Sequence, residues 1–355
     1  MQAKLPRSTV LDFSYTGQHS YNLVEDVNIN SVDFGAAFLP ANQDPTVSST
    51  IPGGAAVSAD LMRAYRGFGS ITQEQPRGWF TSHTLQLGIT RRFTRGATFG
   101  FNDTLVLQQK GSTGARLQHK ADGGFFERPD QAQADALLGN FVPTRQTFKA
   151  HFVWDVPGLK GDSTRAQHAL KWVTRDWRLS GIWSANTGST YTVGVSYQSG
   201  AGNQNITGSP NYGGRVRILS NHGAGCNSDT YRQFNTAAFA PPLTGSIGLE
   251  SGPDYLRGCF FQALDLSLDR DIRLGESRRL QFRLDVFNAP NRAGTTGRNT
   301  TMNVVSPADS TITNLPFDSS GNLIATRSQP KNAGFGVANA YQGARSLQAQ
   351  IRFVF

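Results

Sequence analysis

The stretch "SLQAQIRFVF", Ser346 to Phe355, decides how the rest of the chain is read. Counting back from its end, Phe355, Phe353, Ile351, Ala349 and Leu347 fall on one face, and Val354, Arg352, Gln350, Gln348 and Ser346 on the other. Side chains alternate across a strand with a period of two, so the segment carries one greasy stripe and one mostly polar stripe. Two environments accept that pattern. One is a sheet packed on a core with its other side wet, and the other is a barrel wall with lipid outside and a polar lumen inside.

Seven further stretches repeat the alternation. From Ser8 to Gly17, Leu11, Phe13 and Tyr15 oppose Val10, Asp12 and Ser14. Between Phe80 and Phe93, Leu85, Leu87 and Ile89 form the apolar row. After the "TRG" turn (Thr94 to Gly96) come Phe99, Phe101, Leu105 and Leu107, a row that Asp103 interrupts. Phe148, Ala150, Phe152 and Trp154 follow between Thr144 and Val156. From Trp177 to Tyr197, Leu179, Gly181 and Trp183 lead through a kink at Asn186 to Ser189 into Tyr191, Val193 and Val195. Leu264, Leu266 and Leu268 precede a "GES" turn (Gly275 to Ser277), and Leu280, Phe282, Leu284 and Val286 follow it. This predicts about eight strands, each near the length of ~9–11 residues that crosses a bilayer.

The connections alternate as well. Long Gly/Asn/Ser/Pro-rich segments span Tyr21–Trp79, Gly111–Pro143, Gln198–Cys259 and Asn291–Gly343. Between them lie the two tight turns and Pro157–Asp176, where "AQHALKWV" predicts a short helix. Long loops on one rim and short turns on the other is the layout of an outer-membrane barrel, whereas most connections in a soluble sandwich are short. The expected fold is all-β: an antiparallel transmembrane outer-membrane β-barrel wall with long extracellular loops and short periplasmic turns. The last strand then runs from the long-loop rim to the short-turn rim and ends in the periplasm.

Composition agrees. No run approaches the ~18 apolar residues of a membrane helix. A mean hydropathy of −0.37 does not speak against a barrel, whose strands show only half their residues to lipid. The 355 residues carry 34 Lys and Arg against 25 Asp and Glu, a net charge of +9. These bases are scattered, without the patch that nucleic acid requires, so no nucleic-acid partner is expected. Attraction to anionic lipid or sugar at a cell surface fits the charge. The two cysteines, Cys226 and Cys259, have no metal-site spacing. An even pair flanking a Gly/Asn/Pro-rich loop suggests one disulfide in an oxidising compartment; two free thiols are the alternative, because pairing is not deducible from sequence. The amino terminus lacks the apolar core of a secretory signal.

There is no GxSxG, HExxH, P-loop or dinucleotide fingerprint, so neither enzyme activity nor a cofactor is expected. His151 and Asp155 share a polar face with Lys149, as a lumen-facing network requires of any wall strand. Arg283, Asp285, Asp265 and Asp269 fall on the polar faces of two joined strands and predict cross-strand charge pairs. Trp79, Phe80, Trp154, Trp177 and Tyr191 are candidates for interfacial girdles.

Six motifs carry a resemblance: "STVLDFSYTGQHSYNL", "LMRAYRGFGSI", "LQLGITRRFTRGATFGFN", "WRLSGIWSANTGSTYTV", "RQFNTAAFA" and "ALDLSLDRDIRLGESRRLQFRLDVFNAPNR". In this order they resemble the carboxyl-terminal barrel of Oar-like TonB-dependent receptors, over nearly the whole chain. The terminal row Leu347, Ala349, Ile351, Phe353 and Phe355 resembles the signal read by the barrel-assembly machinery. The resemblance implies a barrel of about 22 strands, of which this chain is an incomplete portion. It also implies a signal peptide, a small β-sandwich domain and a plug carrying the TonB-contacting segment. None of these is recognisable in residues 1–355, and "AKLPRSTVL" looks like a periplasmic turn between two mid-barrel strands. The expectation is the C-terminal portion of a receptor barrel for uptake, or export, of a bulky solute. Its expected surroundings are outer-membrane lipid and lipopolysaccharide, with the TonB complex reached only through a plug outside this chain. The alternative is a self-standing small barrel with a structural or adhesive role.

Overall fold

The computed structural model describes residues 1–93, 96–111, 117–119, 125–127, 144–158, 172–248, 250–252, 254–275 and 278–355. Its main element is a nine-stranded sheet in which each strand lies beside its predecessor in the chain. The strands are β1 (Gln2–Leu5), β2 (Thr9–Asn28), β3 (Thr72–Phe93), β4 (Ala97–Gly111), β5 (Gln146–Asp155), β6 (Trp177–Asn186), β7 (Phe261–Arg273), β8 (Arg279–Phe287) and β9 (Ser346–Val354). All pairings between them are antiparallel. Each of the eight expected strands is present. The ninth, β1, folds back on β2 around residues 6–8, where Arg7 and Ser8 take the left-handed conformation that tight hairpins use.

Register fixes the two faces, because residues opposite one another share a side of the sheet. One cross-strand row reads Phe99, Phe152, Gly181, Leu266, Val286, Leu347. The adjacent row, on the other face, reads Thr98, Val153, Ser180, Ser267, Asp285, Gln348. The apolar face is thus continuous from β4 to β9. Gly181 keeps it flat: a Cβ there would sit 2.5 Å from the Phe152 ring, which lies across the backbone.

Two boundaries differ from the sequence expectation. β2 and β3 pair from Thr9 and Arg91 as far as Asn28 and Thr72, well beyond Gly17 and Phe80. Alternation in hydropathy stops at Gly17 while the backbone ladder continues, since only the part facing lipid needs a greasy stripe. β6 is shorter than expected and ends at Asn186. The alternation of Tyr191, Val193 and Val195 is genuine strand, but it belongs elsewhere: Thr190–Tyr191 pairs with Leu256–Arg257, and Gly194–Tyr197 runs parallel to Thr301–Val304.

Those segments belong to a cap built from the connections 29–71, 187–260 and 288–345. Among the described residues, the one buried hydrophobic side chain in a wall strand is Ala185; Phe234, Phe239, Leu256, Met302 and Phe335 and the others lie in the connections. The first connection docks on the second through backbone bonds from Gly35 to Thr207 (2.8 Å) and Ala37 to Gly208 (2.9 Å). The second meets the third through Gln233 to Gly336 (2.9 Å) and the Phe234–Phe335 ring contact at 5.2 Å. A cap with this much internal core was not foreseen from the Gly/Asn/Ser/Pro-rich composition.

The opposite rim carries the turns. Strand pairing reaches Phe93 opposite Ala97 and Arg273 opposite Arg279, so both hairpins are tight. Thr94, Arg95, Glu276 and Ser277 of those turns lie outside the described residues, as do most of the Gly111–Pro143 loop and 159–171 of the expected helix. Among the described residues the sheet does not close: β1 and β9 are its two edges.

Candidate functional site

A basin of about 1040 Å³ at the short-turn rim is lined by Asp155, Arg178, Asp269, Arg283 and Arg352 of the polar face, and Trp177, Arg270 and Phe282 of the apolar face also border it. Adjacent strands supply its ion pairs. Arg178 Nε meets Asp155 Oδ1 at 2.7 Å from β6 to β5. Arg283 on β8 meets Asp285 at 2.9 Å on its own strand and Asp269 on β7 at 3.7 Å, directly opposite. The arginines are half-exposed, so each pair is solvated and worth little in stability. Their effect is to line a water-accessible surface with fixed charge of both signs, arginines outnumbering aspartates, suited to contacting polar groups of a solute or another protein segment.

Arg283, Asp269 and Asp285 converge as expected. Asp265 does not join them; its Oδ1 accepts the Asn288 backbone N–H at 2.8 Å and caps the end of β8. His151 lies over Gly100, where a Cβ would be 2.2 Å from the imidazole, while Asp155 is engaged by Arg178. No nucleophile or oriented base completes that pair among the described residues. Trp154 and Trp177 lie on the apolar face near the short-turn rim, with Trp177 edge-on to Phe282 at 6.2 Å. Trp79 is at the far end of β3, and Phe80 points to the opposite face. Tyr191 is not a girdle residue. It is packed in the cap against Phe234 at 6.2 Å, and its hydroxyl donates to the Gly225 carbonyl at 2.5 Å.

The cap joins the wall through a compact polar knot. Cys226 and Cys259 form a disulfide across a separation of 33 residues, and Cys259 lies just ahead of β7. Arg298 stacks over Tyr191 at 4.7 Å, and Arg257 donates to the Gly188 carbonyl at 2.8 Å. Burial depresses the pKa of both arginines. It raises those of Tyr197 and Tyr255 to about 12, and the Tyr255 hydroxyl accepts the Val193 N–H at 3.0 Å. The disulfide, the ring stack and these hydrogen bonds fix the cap to the wall.

Leu347, Ala349, Ile351 and Phe353 occupy the apolar face of β9, opposite Val286, Leu284, Phe282 and Leu280. Phe355 ends the row, 91% exposed, with its ring 6.0 Å from that of Phe353. Three charged residues on the same face went unremarked or unexplained in the sequence. Register places Asp103, Arg91 and Arg270 there. Gln146 donates to both Asp103 carboxylate oxygens at 3.0 and 3.2 Å, and Arg91 stacks on Phe93 at 4.4 Å. Alternation along each strand already assigns them to this face; their partners are readable only once register is known.

Comparison with known proteins adds the family. Residues 1–348 match the profile described as outer membrane beta barrel domain. No curated protein matches the chain. Among solved structures, the outer membrane transporter YddB from Escherichia coli is similar over 99% of this chain and 31% of its own, at 8% identity and a TM-score of 0.41. The chain thus spans about a third of that transporter's length. With the apolar face continuous across the wall and the longest connections on one rim, the chain belongs to the outer membrane beta-barrel domain family and resides in the outer membrane of a Gram-negative bacterium.

Proposed function

We propose that these nine strands are a section of the wall of a larger transporter barrel, an Oar-like TonB-dependent receptor that takes up, or exports, a bulky solute. One observation carries this reading. β1 and β9, the two edges, both run from the cap rim towards the short-turn rim. Closing β9 onto β1 would pair them parallel, and a second copy placed edge to edge in the same membrane would repeat that parallel contact. Bacterial outer-membrane barrels close with antiparallel strands in even number. An odd number of further strands between β9 and β1 satisfies this, and a barrel of about 22 strands leaves an odd number over. The self-standing small barrel meets the same obstacle. A wide lumen and the charged basin on its wall suit a polar solute or a plug, and TonB would act through that plug.

Uptake is the test. Cells lacking the gene, and cells lacking TonB, are compared with the parent strain for accumulation of labelled oligosaccharide and oligopeptide pools. Energy-dependent accumulation lost in both mutants supports the reading; accumulation unchanged in both overturns it. The terminal row provides a further check on the assembly machinery as partner. Deleting Phe355 is expected to lower outer-membrane abundance, seen by quantitative blotting, without changing accumulation per surviving molecule. A loss of accumulation at full abundance would instead make Phe355 a solute-site residue.

A further inference from the structure

Arg270 is an arginine on the wrong side of the wall. Register places it opposite Trp177 and Phe282, on the face that carries Leu264, Leu266 and Leu268. It is 8% exposed, and its guanidinium lies 4.8 Å from the centre of the Trp172 ring and 5.3 Å from that of Trp177. One Nη donates to the Trp172 carbonyl, while Nε is buried and without a partner. A guanidinium offers five N–H donors, and among the described residues the buried Nε is left for a further acceptor. No carboxylate pairs with it among the described residues.

The ring of Trp172 comes from the connection between β5 and β6. The helical turn at residues 172–174 is held against the lipid side of the wall, with Trp177 Nε1 donating to the Val173 carbonyl at 2.7 Å. Trp172 and Val173 remain 49% exposed each, an apolar surface beside the arginine. Arg270 lies three residues from Arg273, the last of β7, or about 10 Å of strand from the short-turn rim. A charged residue on the lipid face costs roughly 2–4 kcal/mol at the midplane but ~0–1 near an interface. One more apolar row, Ile272, Leu280 and Phe353, lies between Arg270 and the rim, so its long side chain has to reach past that row to the headgroups, where a phosphate is available and a charge-assisted, bidentate bond to arginine is strong.

We propose that Arg270, between Trp172 and Trp177, binds the phosphate of a phospholipid in the periplasmic leaflet, while Trp172 and Val173 contact its upper acyl chain. The site is independent of what the barrel transports. It rests on the apolar face being the lipid face.

The test uses the outer-membrane protein purified in detergent and titrated with phosphatidylglycerol, with bound lipid read by native mass spectrometry. Arg270→Leu is expected to weaken retention by roughly tenfold, the scale of one lost charge-assisted hydrogen bond, and Arg270→Lys to weaken it less. Inorganic phosphate in excess should not displace the lipid, because the acyl contact is missing from it. Equal retention by wild type and Arg270→Leu overturns the proposal, as does displacement by inorganic phosphate. Should Arg270→Leu fail to fold, the wild type still decides. Phosphatidylglycerol with a photoreactive headgroup is expected to label residues 172–177 and the end of β7, and labelling spread evenly around the short-turn rim overturns the proposal.

Discussion

Phe335 in the cap is fully buried among Phe234 and Phe239, whereas Ile351 on β9, just as apolar, is 71% exposed. In the cap, side chains hide against one another around a shared core, as in any water-soluble domain. In the wall they form a flat face without a second layer, and lipid is the partner that removes them from water. The comparison teaches that burial within the chain and hydrophobicity have come apart: the most regular element holds almost no core, and the irregular connections hold nearly all of it.

The largest test of that division strikes the cap. Phe335→Ala removes a fully buried ring and is expected to destabilise the cap by about 3–5 kcal/mol, seen as rapid proteolysis of 187–260 and 288–345 on intact cells. The wall should keep its resistance to heat in gel electrophoresis. Parallel loss of both would show that cap and wall are one cooperative unit. Next, reducing the Cys226–Cys259 disulfide releases a loop of 33-residue separation and should cost about 3–4 kcal/mol. Hydrogen exchange is expected to accelerate at the amides of Val193, Val216 and Leu256, and not at those of β7 and β8.

A smaller effect separates the two faces of the wall. Leu266→Arg places a charge in lipid near the middle of β7 and should cost about 2–4 kcal/mol in urea unfolding from phospholipid vesicles. Ser267→Arg, one residue on, faces the basin beside Asp269 and Asp285 and should cost far less. Equal costs would mean that both faces see the same medium.

The wall was legible in the sequence because lipid imposes one simple rule, and each strand from Leu11 to Phe353 obeys it locally. Register was not legible, and with it the neighbours of Arg91 and Arg270 on the lipid face: alternation along their own strands puts both there, but which rings flank them depends on which residues of neighbouring strands meet. The cap was opaque for a different reason. Its core joins residues as distant as Val32 and Ser209, or Phe234 and Phe335, through single buried side chains and backbone bonds that leave no periodic trace. Tyr191, Val193 and Val195 show the limit most clearly: their alternation announced a strand correctly but not which sheet would take it.

The claim on which everything else stands is that lipid covers the apolar face. Single nitroxide labels placed in turn at positions 280 to 286 of β8, in protein reconstituted into vesicles, test it directly. The native cysteines are paired in the structure and leave the introduced thiols as the labelling sites. Collision with lipid-soluble oxygen should peak at Leu280, Phe282, Leu284 and Val286, and collision with a water-soluble nickel chelate at Gln281, Arg283 and Asp285. Alternation of that phase is the predicted result; no alternation, or alternation of the opposite phase, would contradict the wall as described.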